Sequence, residues 1–397
     1  MTIAPSTCDH LVIGGGPAGS MAAIRLAAAG RDVLLIERER AAHHKVCGEF
    51  LSREAVHYLH QLGIDLCDLG AESILTLRIS SGNTVVTEQL PFQAFSLSRR
   101  VLDEALIEHA RQTGCSVLRG VGVESLTPTT GAWTAALANG TAIRAQTVFL
   151  ATGKHDLRGF DRSPSRQPDL IGFKLHWQLE AAAIRALSGF MDLFLFPSGY
   201  GGLSLVENGA ANLCLVVRRS ALRKLGGWTA LLASIRAANP HFGRLLNDAQ
   251  SLWPRPLAIS PIPYGYLGPH PRGLWSIGDQ AAVIPSFTGD GVSIALHSAA
   301  LAAEMYLAGD SATAYESTLR AQLRRSMRLA TGLSRTAVTK FGRLLASSAL
   351  SLFPSAIEII ARSTRIPQAA LVDGMGMGMG AGLDVEAGTR ARTRSRI

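Results

Sequence analysis

The stretch His10-Leu-Val-Ile13, followed by Gly14-Gly15-Gly16-Pro17-Ala18-Gly19, decides how this chain begins to fold. The first four residues are typical of a short buried strand, the glycines of a tight turn, and the alanine-rich residues 20–29 of a helix. Residues 32–36 then form a second apolar run that ends at Glu37. The order is strand, helix, strand, with G-x-G-x-x-G spacing and an acid about 20 residues after the glycines.

Each part of this unit has a physical task. Gly14 permits the tight turn, Gly16 lets the backbone approach a pyrophosphate, and Gly19 lets the helix pack closely on the strand. The amino terminus of the helix favours phosphates, and Glu37 can accept a hydrogen bond from a ribose hydroxyl. A plain glycine turn, the alternative, would not explain Glu37. The sequence therefore predicts a dinucleotide-binding site.

Three later segments narrow the choice of dinucleotide. They are Ser98-Arg99-Arg100-Val-Leu-Asp103, Leu274-Trp-Ser-Ile-Gly278-Asp279, and Pro285-Ser-Phe-Thr-Gly289-Asp290-Gly291. With the first site they resemble the FAD-dependent p-hydroxybenzoate hydroxylase and geranylgeranyl reductase superfamily, the group A flavoprotein monooxygenase-like oxidoreductases. The resemblance covers roughly residues 8–310 and implies FAD as the cofactor.

The resemblance also implies an α/β fold. We expect a Rossmann-like FAD-binding domain of the GR2 type, with an inserted, mostly antiparallel β-sheet substrate domain and a C-terminal helical region. The expected boundaries are residues 5–71, 97–159 and 266–310 for the FAD-binding domain, 72–96 and 160–265 for the substrate domain, 311–372 for the helical region, and 373–397 for a flexible basic tail.

In this superfamily the Gly-Asp pair ends a strand and its acid binds the FAD ribityl chain, which implies that role for Asp279. The segment with Pro285, Gly289 and Gly291 would start a helix that faces the flavin ring. A helix amino terminus there stabilises the negative charge of reduced flavin. Arg99 is implied to lie against FAD, the alternative being a solvated arginine at a helix start.

The loop Lys45-Val-Cys47-Gly48-Glu49 is similar to the K-x-C-G stretch of geranylgeranyl reductases, where a cysteine can reach the substrate. The alternative for Cys47 is a small buried residue. The adjacent His43 and His44 fit a solvated loop, and we predict no metal site.

The site predictions can be collected as two sets. The catalytic candidates are Cys47, Pro285 and Gly289. The cofactor-binding candidates are Gly14, Gly16, Pro17, Ala18, Gly19, Glu37, Arg38, Cys47, Gly48, Arg99, Val123, Gly153, Gly278, Asp279, Gly289, Gly291 and Val292.

One departure concerns the electron donor. Relatives that use NAD(P)H directly carry a D-G motif after the strand equivalent to residues 148–153, and the matching run here, residues 151–159, has no aspartate directly before a glycine. Asp156 and Arg158 are candidates to replace parts of it, and no second G-x-G-x-x-G is evident. The electron source is therefore either NAD(P)H or a separate flavin reductase. The W-x-W-x-I-P signature of flavin halogenases is absent as well.

Residues 193–207 and 211–217 are predicted to form paired strands that shape a substrate pocket. Candidate pocket residues are His176, Trp177, Phe194, Phe196 and Tyr200, each of which has the alternative of packing in the core. A pocket lined by such residues suits a small hydrophobic or aromatic substrate.

The formal net charge of +9 is concentrated near the C-terminus. Residues 317–357 hold seven basic residues and no acid, and the tail holds four arginines. Arg320, Arg324 and Arg328 form a helical stripe, which is either a solvated face or a face for anionic lipid or an acidic carrier protein. Nucleic acid is excluded because no aromatic residues accompany the charge. Five scattered cysteines fit a reduced, cytoplasmic location, with peripheral membrane association as an addition.

These observations support three functional hypotheses. The first is an FAD-dependent monooxygenase that hydroxylates a hydrophobic or aromatic biosynthetic intermediate through a flavin C4a-hydroperoxide. The second is a geranylgeranyl-reductase-type enzyme that saturates C=C bonds of an isoprenoid or lipid. The third is a non-catalytic flavin-binding docking protein.

Overall fold

A computed structural model describes residues 6–163, 167–268, 273–339 and 356–373. Its strands are β1 (Thr7–Ile13), β2 (Val33–Glu37), β3 (Phe50–Leu51), β4 (Glu72–Ser81), β5 (Thr84–Ser96), β6 (Ser116–Arg119), β7 (Val123–Thr129), β8 (Ala132–Leu137), β9 (Ala142–Leu150), β10 (Leu170–Gln178), β11 (Phe190–Phe196), β12 (Gly199–Leu205), β13 (Ala210–Arg218), β14 (Gln250–Ser251), β15 (Leu257–Ile259), β16 (Tyr266–Leu267), β17 (Trp275–Ser276) and β18 (Ala282–Val283). Its α-helices are α1 (Pro17–Ala28), α2 (Arg53–Gln61), α3 (Arg99–Gln112), α4 (Ala181–Leu187), α5 (Arg219–Leu225), α6 (Trp228–Ala238), α7 (Pro240–Leu245), α8 (Gly291–Leu307), α9 (Ala312–Ala337) and α10 (Ala356–Ser363).

The first sheet holds the predicted strand–helix–strand unit. Its order is β6-β2-β1-β9-β8-β7, with β17 also paired to β9. Strands β6, β2, β1, β9 and β17 run parallel to their neighbours, while β7 and β8 are antiparallel. All five residues of β2 are buried, as expected for a parallel strand covered on both faces. Helix α1 is almost entirely buried and packs on α3 and α8.

The second sheet has the order β14-β10-β13-β12-β11-β4-β5-β3, with β15 paired to β10. Strands β4 and β11 are parallel, and the other pairs are antiparallel. One face packs against α4, α6 and α7 around Phe194, Phe196 and Phe242. The other face bears Leu193 and Leu195. These two side chains line a cavity that Lys154 and Asp279, after strands β9 and β17 of the first sheet, also line.

The helices after β18 complete this cavity. Helix α9 buries Leu319, Leu323 and Met327 and exposes Arg324 and Arg328. Residues after α10 return to the first sheet's helices and reach α1 and α2. No helix within the described ranges combines the length and apolarity needed to cross a bilayer.

The predicted fold class is confirmed: the described chain is α/β, with a largely antiparallel second sheet and a helical C-terminal region. The finer domain boundaries stay a prediction. The flexible basic tail was predicted for residues 373–397, of which 374–397 lie outside the described residues, as do Lys340 and Arg343.

Candidate cofactor and substrate site

The glycine turn holds α1 against the carboxyl end of β1. Gly14 has φ +112°, a conformation that favours glycine, and its N–H donates to Ile36 O at 2.8 Å. A Cβ atom on Gly19 would lie 1.8 Å from Gly14 O. Buried Glu37 accepts from the N–H of Gly15 at 2.9 Å and from Glu39 at 3.0 Å. Each carboxylate oxygen keeps a lone pair, so Glu37 can still accept from a ribose hydroxyl.

Two cations face the backbone of Gly16. A Cβ atom there would lie 3.3 Å from Arg99 Nη2 and 4.0 Å from Lys45 Nζ. Both cations bind Asp103, Lys45 at 2.9 Å and Arg99 at 2.6 and 2.9 Å. Burial alone would raise the pKa of Asp103, but Arg99 and Lys45 outweigh it and lower that pKa. Lys45 also lies 4.0 Å from Glu37 Oε2, so two carboxylates balance the two cations. The cations are nevertheless the side chains nearest Gly16, which suits a diphosphate there.

The later motifs meet this turn from the other side. A Cβ atom on Gly278 would lie 2.8 Å from Ala18 Cβ, so the Gly-Asp pair abuts the start of α1. Asp279 follows and accepts from Lys154 Nζ at 2.9 Å. Gly289 and Gly291 line the cavity at the start of α8, and no side chain caps that helix. Its free first-turn N–H groups favour a group that carries negative charge.

The remaining cofactor candidates are spread around this centre. Gly153, after β9, has φ +67°. Val123 begins β7, and exposed Arg38 pairs with Glu39 at 3.4 Å. Pro285 is buried, and the following Ser286 lines the cavity in its place. Gly48 and Val292 line the cavity together with Cys47, whose thiol contacts the Arg99 guanidinium. The roles implied for these residues stay predictions.

The cavity has a volume of about 420 Å³, and we call it the central cavity. Aliphatic side chains are the largest group in its wall and include Val46, Leu77, Ile79, Leu90, Met191, Leu193, Leu195, Val216, Ile259, Ile262, Ile284, Leu333 and Ile360. Four aromatic side chains also line it, namely Phe50, Tyr200, Tyr264 and Phe287. Lys154 and Asp279 line it near the start of α8. A mostly apolar cavity with a few polar groups is typical of a small-molecule site.

Four of the five predicted pocket residues do not line the central cavity. Phe194 and Phe196 stack with ring centroids 5.9 Å apart on the opposite face of the sheet, where Trp177 also packs. His176 binds Glu49 instead. The expectation was wrong for Phe194 and Phe196 because β11 carries apolar residues on both faces, which makes its alternation uninformative. It was wrong for His176 and Trp177 in β10 because the first binds Glu49 and the second packs in the core on the opposite face. Tyr200 does line the cavity.

A buried charge cluster, which sequence reasoning missed, anchors the Cys47 loop. Glu49 has φ +57° and accepts from Lys174, from the Arg99 N–H at 2.7 Å and from His176 at 2.9 Å. Burial would raise the pKa of Glu49, but Lys174 and His176 outweigh it and lower that pKa. A lysine inside the apolar run of β10 was the available signal in the sequence.

His44 is not the solvated loop residue that was predicted. Its ring lies 4.8 Å from that of His176 and 4.5 Å from that of Trp253, and burial lowers its pKa to about 4. Ligand atoms of His44, Glu49 and His176 lie within 4.8 Å of one another, close enough to hold a metal ion. Lys174 already occupies one Glu49 oxygen, so this carboxylate is part of an internal ion pair.

A chain of hydroxyl groups lies at another wall of the central cavity. Tyr264 donates to Ser286 Oγ at 2.7 Å, and Tyr200 lies 3.4 Å from the same oxygen. Tyr200 also lies 3.3 Å from Ser334 Oγ, which donates to Gln167 Oε1 at 3.4 Å. The chain thus runs from the cavity to half-buried Gln167.

An ion pair ties the C-terminal segment to the start of α8. The Arg365 guanidinium binds buried Asp290 and lies over the ring of Phe92 at 4.9 Å. Burial raises the pKa of Asp290 to about 6, although Arg365 opposes this shift. Arg365 and Thr364 also line the central cavity, so this segment is one of its walls.

Comparisons with known proteins agree with this geometry. A family profile described as FAD binding domain matches residues 7–150. The chain is 27% identical over 345 residues to menaquinone reductase of Mycobacterium tuberculosis, covering 79% of this chain and 80% of that protein. It is 27% identical over 311 residues to digeranylgeranylglycerophospholipid reductase 2 of Methanopyrus kandleri, covering 75% and 76%. The myxobacterial chondrochloren halogenase, an FAD-dependent halogenase, shares the fold with a TM-score of 0.72 at 20% identity, covering 94% of each chain.

The residues present fit FAD. The glycine turn with its two cations suits the diphosphate, Glu37 suits the ribose, and Asp279 with the start of α8 suits the ribityl chain and ring. The matched FAD-binding profile agrees with that fit. The chain therefore carries an FAD-binding domain over residues 7–150, is similar to the named reductases over about three quarters of its length, and is an FAD-dependent oxidoreductase.

Proposed function

We propose that this enzyme is a reductase that adds hydrogen across a C=C bond of a long, apolar isoprenoid or lipid. The observation that carries the proposal is the hydroxyl chain at the wall of a mainly apolar cavity. Saturation of a double bond needs a proton as well as a hydride, and Tyr264 and Tyr200 are proton donors that reach the cavity. Bound FAD, once reduced, would supply the hydride.

Residues of the chain bind the substrate, exclude water and transfer the proton. The aliphatic wall holds the substrate and excludes water, while the tyrosine hydroxyl gives its proton to the carbon that does not receive the hydride. Ser286, Ser334 and Gln167 then provide a route by which solvent restores that proton. Burial raises the pKa of Tyr200, so its hydroxyl stays protonated at neutral pH. The Cys47 thiol also lines the cavity.

The two relatives that match over three quarters of the chain support this proposal. Both are named as reductases, one of menaquinone and one of a digeranylgeranylglycerophospholipid. Aliphatic side chains also outnumber the aromatic ones in the wall, where Phe50, Tyr200, Tyr264 and Phe287 are the aromatic members, and this balance suits a polyprenyl chain.

The monooxygenase hypothesis is the second candidate. Its favouring observation is the same exclusion of water by apolar walls, which oxygen chemistry on a reduced flavin also needs. A non-catalytic docking role is not retained, because the chain is an FAD-dependent oxidoreductase. NAD(P)H or a separate reductase as electron donor stays a prediction.

One assay separates the two candidates. FAD-loaded protein is reduced with dithionite and given menaquinone, or a geranylgeranyl glycerophospholipid, without oxygen. Because dithionite alone converts a quinone ring to the quinol, the menaquinone product is reoxidised before mass analysis. The reductase proposal expects two added hydrogens to remain in the isoprenoid chain. Product that forms only in air and carries label from ¹⁸O₂ would overturn it and support the monooxygenase.

The proton donor is tested in the same assay. Tyr264→Phe is expected to lower kcat by about 100-fold with little change in KM, because proton transfer is lost while the apolar contact remains. Tyr266→Phe is the matched control, since Tyr266 lies outside the cavity wall. Equal effects of the two variants would contradict the assigned role.

A further inference from the structure

We infer that Lys154 sets the charge beside the flavin by neutralising Asp279, and that it thereby raises the reduction potential of bound FAD. The inference goes beyond the proposed function, because it concerns the cofactor whichever substrate is used. It rests on the position of Lys154, on its single ion pair, and on the charges around it.

The backbone of Lys154 is held at the cavity from two sides. It follows Gly153, and Gln280 Nε2 donates both to Gly153 O at 2.8 Å and to His155 O at 3.0 Å. Gln280 belongs to the turn that also carries Asp279. These bonds tie the end of β9 to the Gly-Asp turn and leave the Lys154 side chain to reach Asp279 Oδ2 at 2.9 Å.

Lys154 is the side-chain cation that pairs with this carboxylate in the described part of the chain. Lys45 and Arg99 both bind Asp103 instead. Arg162 binds Asp156 at 2.5 Å and reaches Asp279 only through its backbone oxygen, at 2.6 Å. Without Lys154, the Asp279 side chain would be an unpaired carboxylate lining the cavity.

The ammonium group stays charged at its site. Burial lowers the pKa of Lys154, but the Asp279 carboxylate outweighs burial and the net pKa is raised. About a quarter of the side chain is exposed, and that part faces the cavity that Cys47 and Gly289 also line.

The sign of the effect follows from charge alone. Reduction of flavin places negative charge on the ring system, and a nearby cation stabilises the reduced form more than the oxidised form. Removing the Lys154 charge leaves Asp279 unbalanced, and both changes disfavour reduced FAD. Removing the charge of Asp279 does the opposite.

The test is a potentiometric titration of the full, FAD-saturated chain. In Lys154→Met, reduced FAD should bind roughly tenfold more weakly relative to oxidised FAD, which corresponds to a fall of about 30 mV for a two-electron couple. Lys154→Arg keeps the charge and should stay near the wild-type potential. Asp279→Asn should move the potential upward.

The affinity for oxidised FAD is measured separately for each variant, so that loss of cofactor is not taken for a change in potential. An unchanged potential in Lys154→Met would overturn the inference. An equal fall in Lys154→Arg would also overturn it, because shape rather than charge would then be responsible. Turnover plays no part in the readout, so failure of the reductase proposal leaves this test intact.

Discussion

The nucleotide turn and the central cavity are built in opposite ways. Residues 14–19 are contiguous, and they act mainly through backbone atoms whose approach depends on missing Cβ atoms. The central cavity instead takes side chains from the Cys47 loop, β4, β11, α9 and α10, which are far apart in the sequence. A site made of backbone is encoded locally, whereas a site made of side chains depends on the whole fold.

Gly19→Val tests the nucleotide turn and is expected to have the largest effect on folding and FAD binding. The new Cβ would lie 1.8 Å from Gly14 O, so α1 must move away from the turn. We expect no retained FAD and at best a partly folded chain, measured by flavin absorbance after gel filtration. Gly332→Ala is the control, because its Cβ would meet nothing within 4 Å. Retention of FAD by Gly19→Val would contradict the role of the turn.

Lys174→Met tests the central cavity, whose residues are far apart in the sequence. Its side chain is fully buried against Glu49, which lies 125 residues earlier and anchors the Cys47 loop. Leaving that carboxylate buried without its cation should cost about 3–5 kcal/mol in the free energy of unfolding. Urea denaturation with an unchanged m-value measures it.

The double variant Lys174→Met/Glu49→Gln is the matched control for that prediction. It removes both charges and should recover part of the lost stability. If the double variant is as unstable as the single one, packing rather than charge accounts for the loss.

The pH dependence of stability tests His297 in α8, the helix that begins beside the nucleotide turn. His297 in α8 accepts from Tyr58 at 2.7 Å and lies 2.8 Å from Gln322, and burial lowers its pKa to about 4. The unfolded chain binds this proton near pH 6.5 and the folded chain only near pH 4, so stability falls as the pH drops between these values. The loss is roughly 3 kcal/mol at pH 4.

His297→Gln should remove much of that slope in denaturation measured from pH 7 to 4.5. His44 near the cavity, whose pKa is also lowered to about 4, keeps part of the slope in this variant. A pH profile that is the same in wild type and His297→Gln would contradict the assignment.

The smallest expected effect on stability comes from the exposed face of α9. Changing Arg324, Arg325 and Arg328 to Gln together should alter the free energy of unfolding by about 0.5 kcal/mol per residue or less. If the predicted peripheral membrane association is correct, binding to phosphatidylglycerol vesicles should fall steeply, since each arginine near such a surface contributes about 1 kcal/mol. Unchanged vesicle binding in sedimentation would contradict the membrane prediction, and an acidic carrier protein would be the next partner to test.

The comparison also explains what the sequence could predict. The strand–helix–strand unit, the acid at Glu37 and the start of α8 after Gly289 all depend on short spacings, and the structure has each of them where the motif indicates. Gly278 and Ala18 are distant in sequence but lie in contact, and each belongs to a motif that the sequence shows.

The cavity could not be predicted in the same way. Residues 190–196 are apolar at nearly every position, so a period of two did not reveal which face meets the core. The Glu49–Lys174 pair depends on the placement of β10 beside the Cys47 loop, which no local spacing encodes. Tyr264 and Arg365 reach the site through tertiary packing for the same reason.

The route of residues 364–373 has a consequence for how the protein is made. Asp373 O accepts from Arg25 in α1 at 3.2 Å, and the Val372 N–H donates to Tyr58 in α2 at 3.0 Å. Arg365, a few residues earlier, lines the central cavity. On the ribosome the glycine turn at residues 14–19 emerges hundreds of residues before this wall. A nascent chain can therefore form its nucleotide turn long before it has a closed chamber in which reduced flavin could meet a substrate.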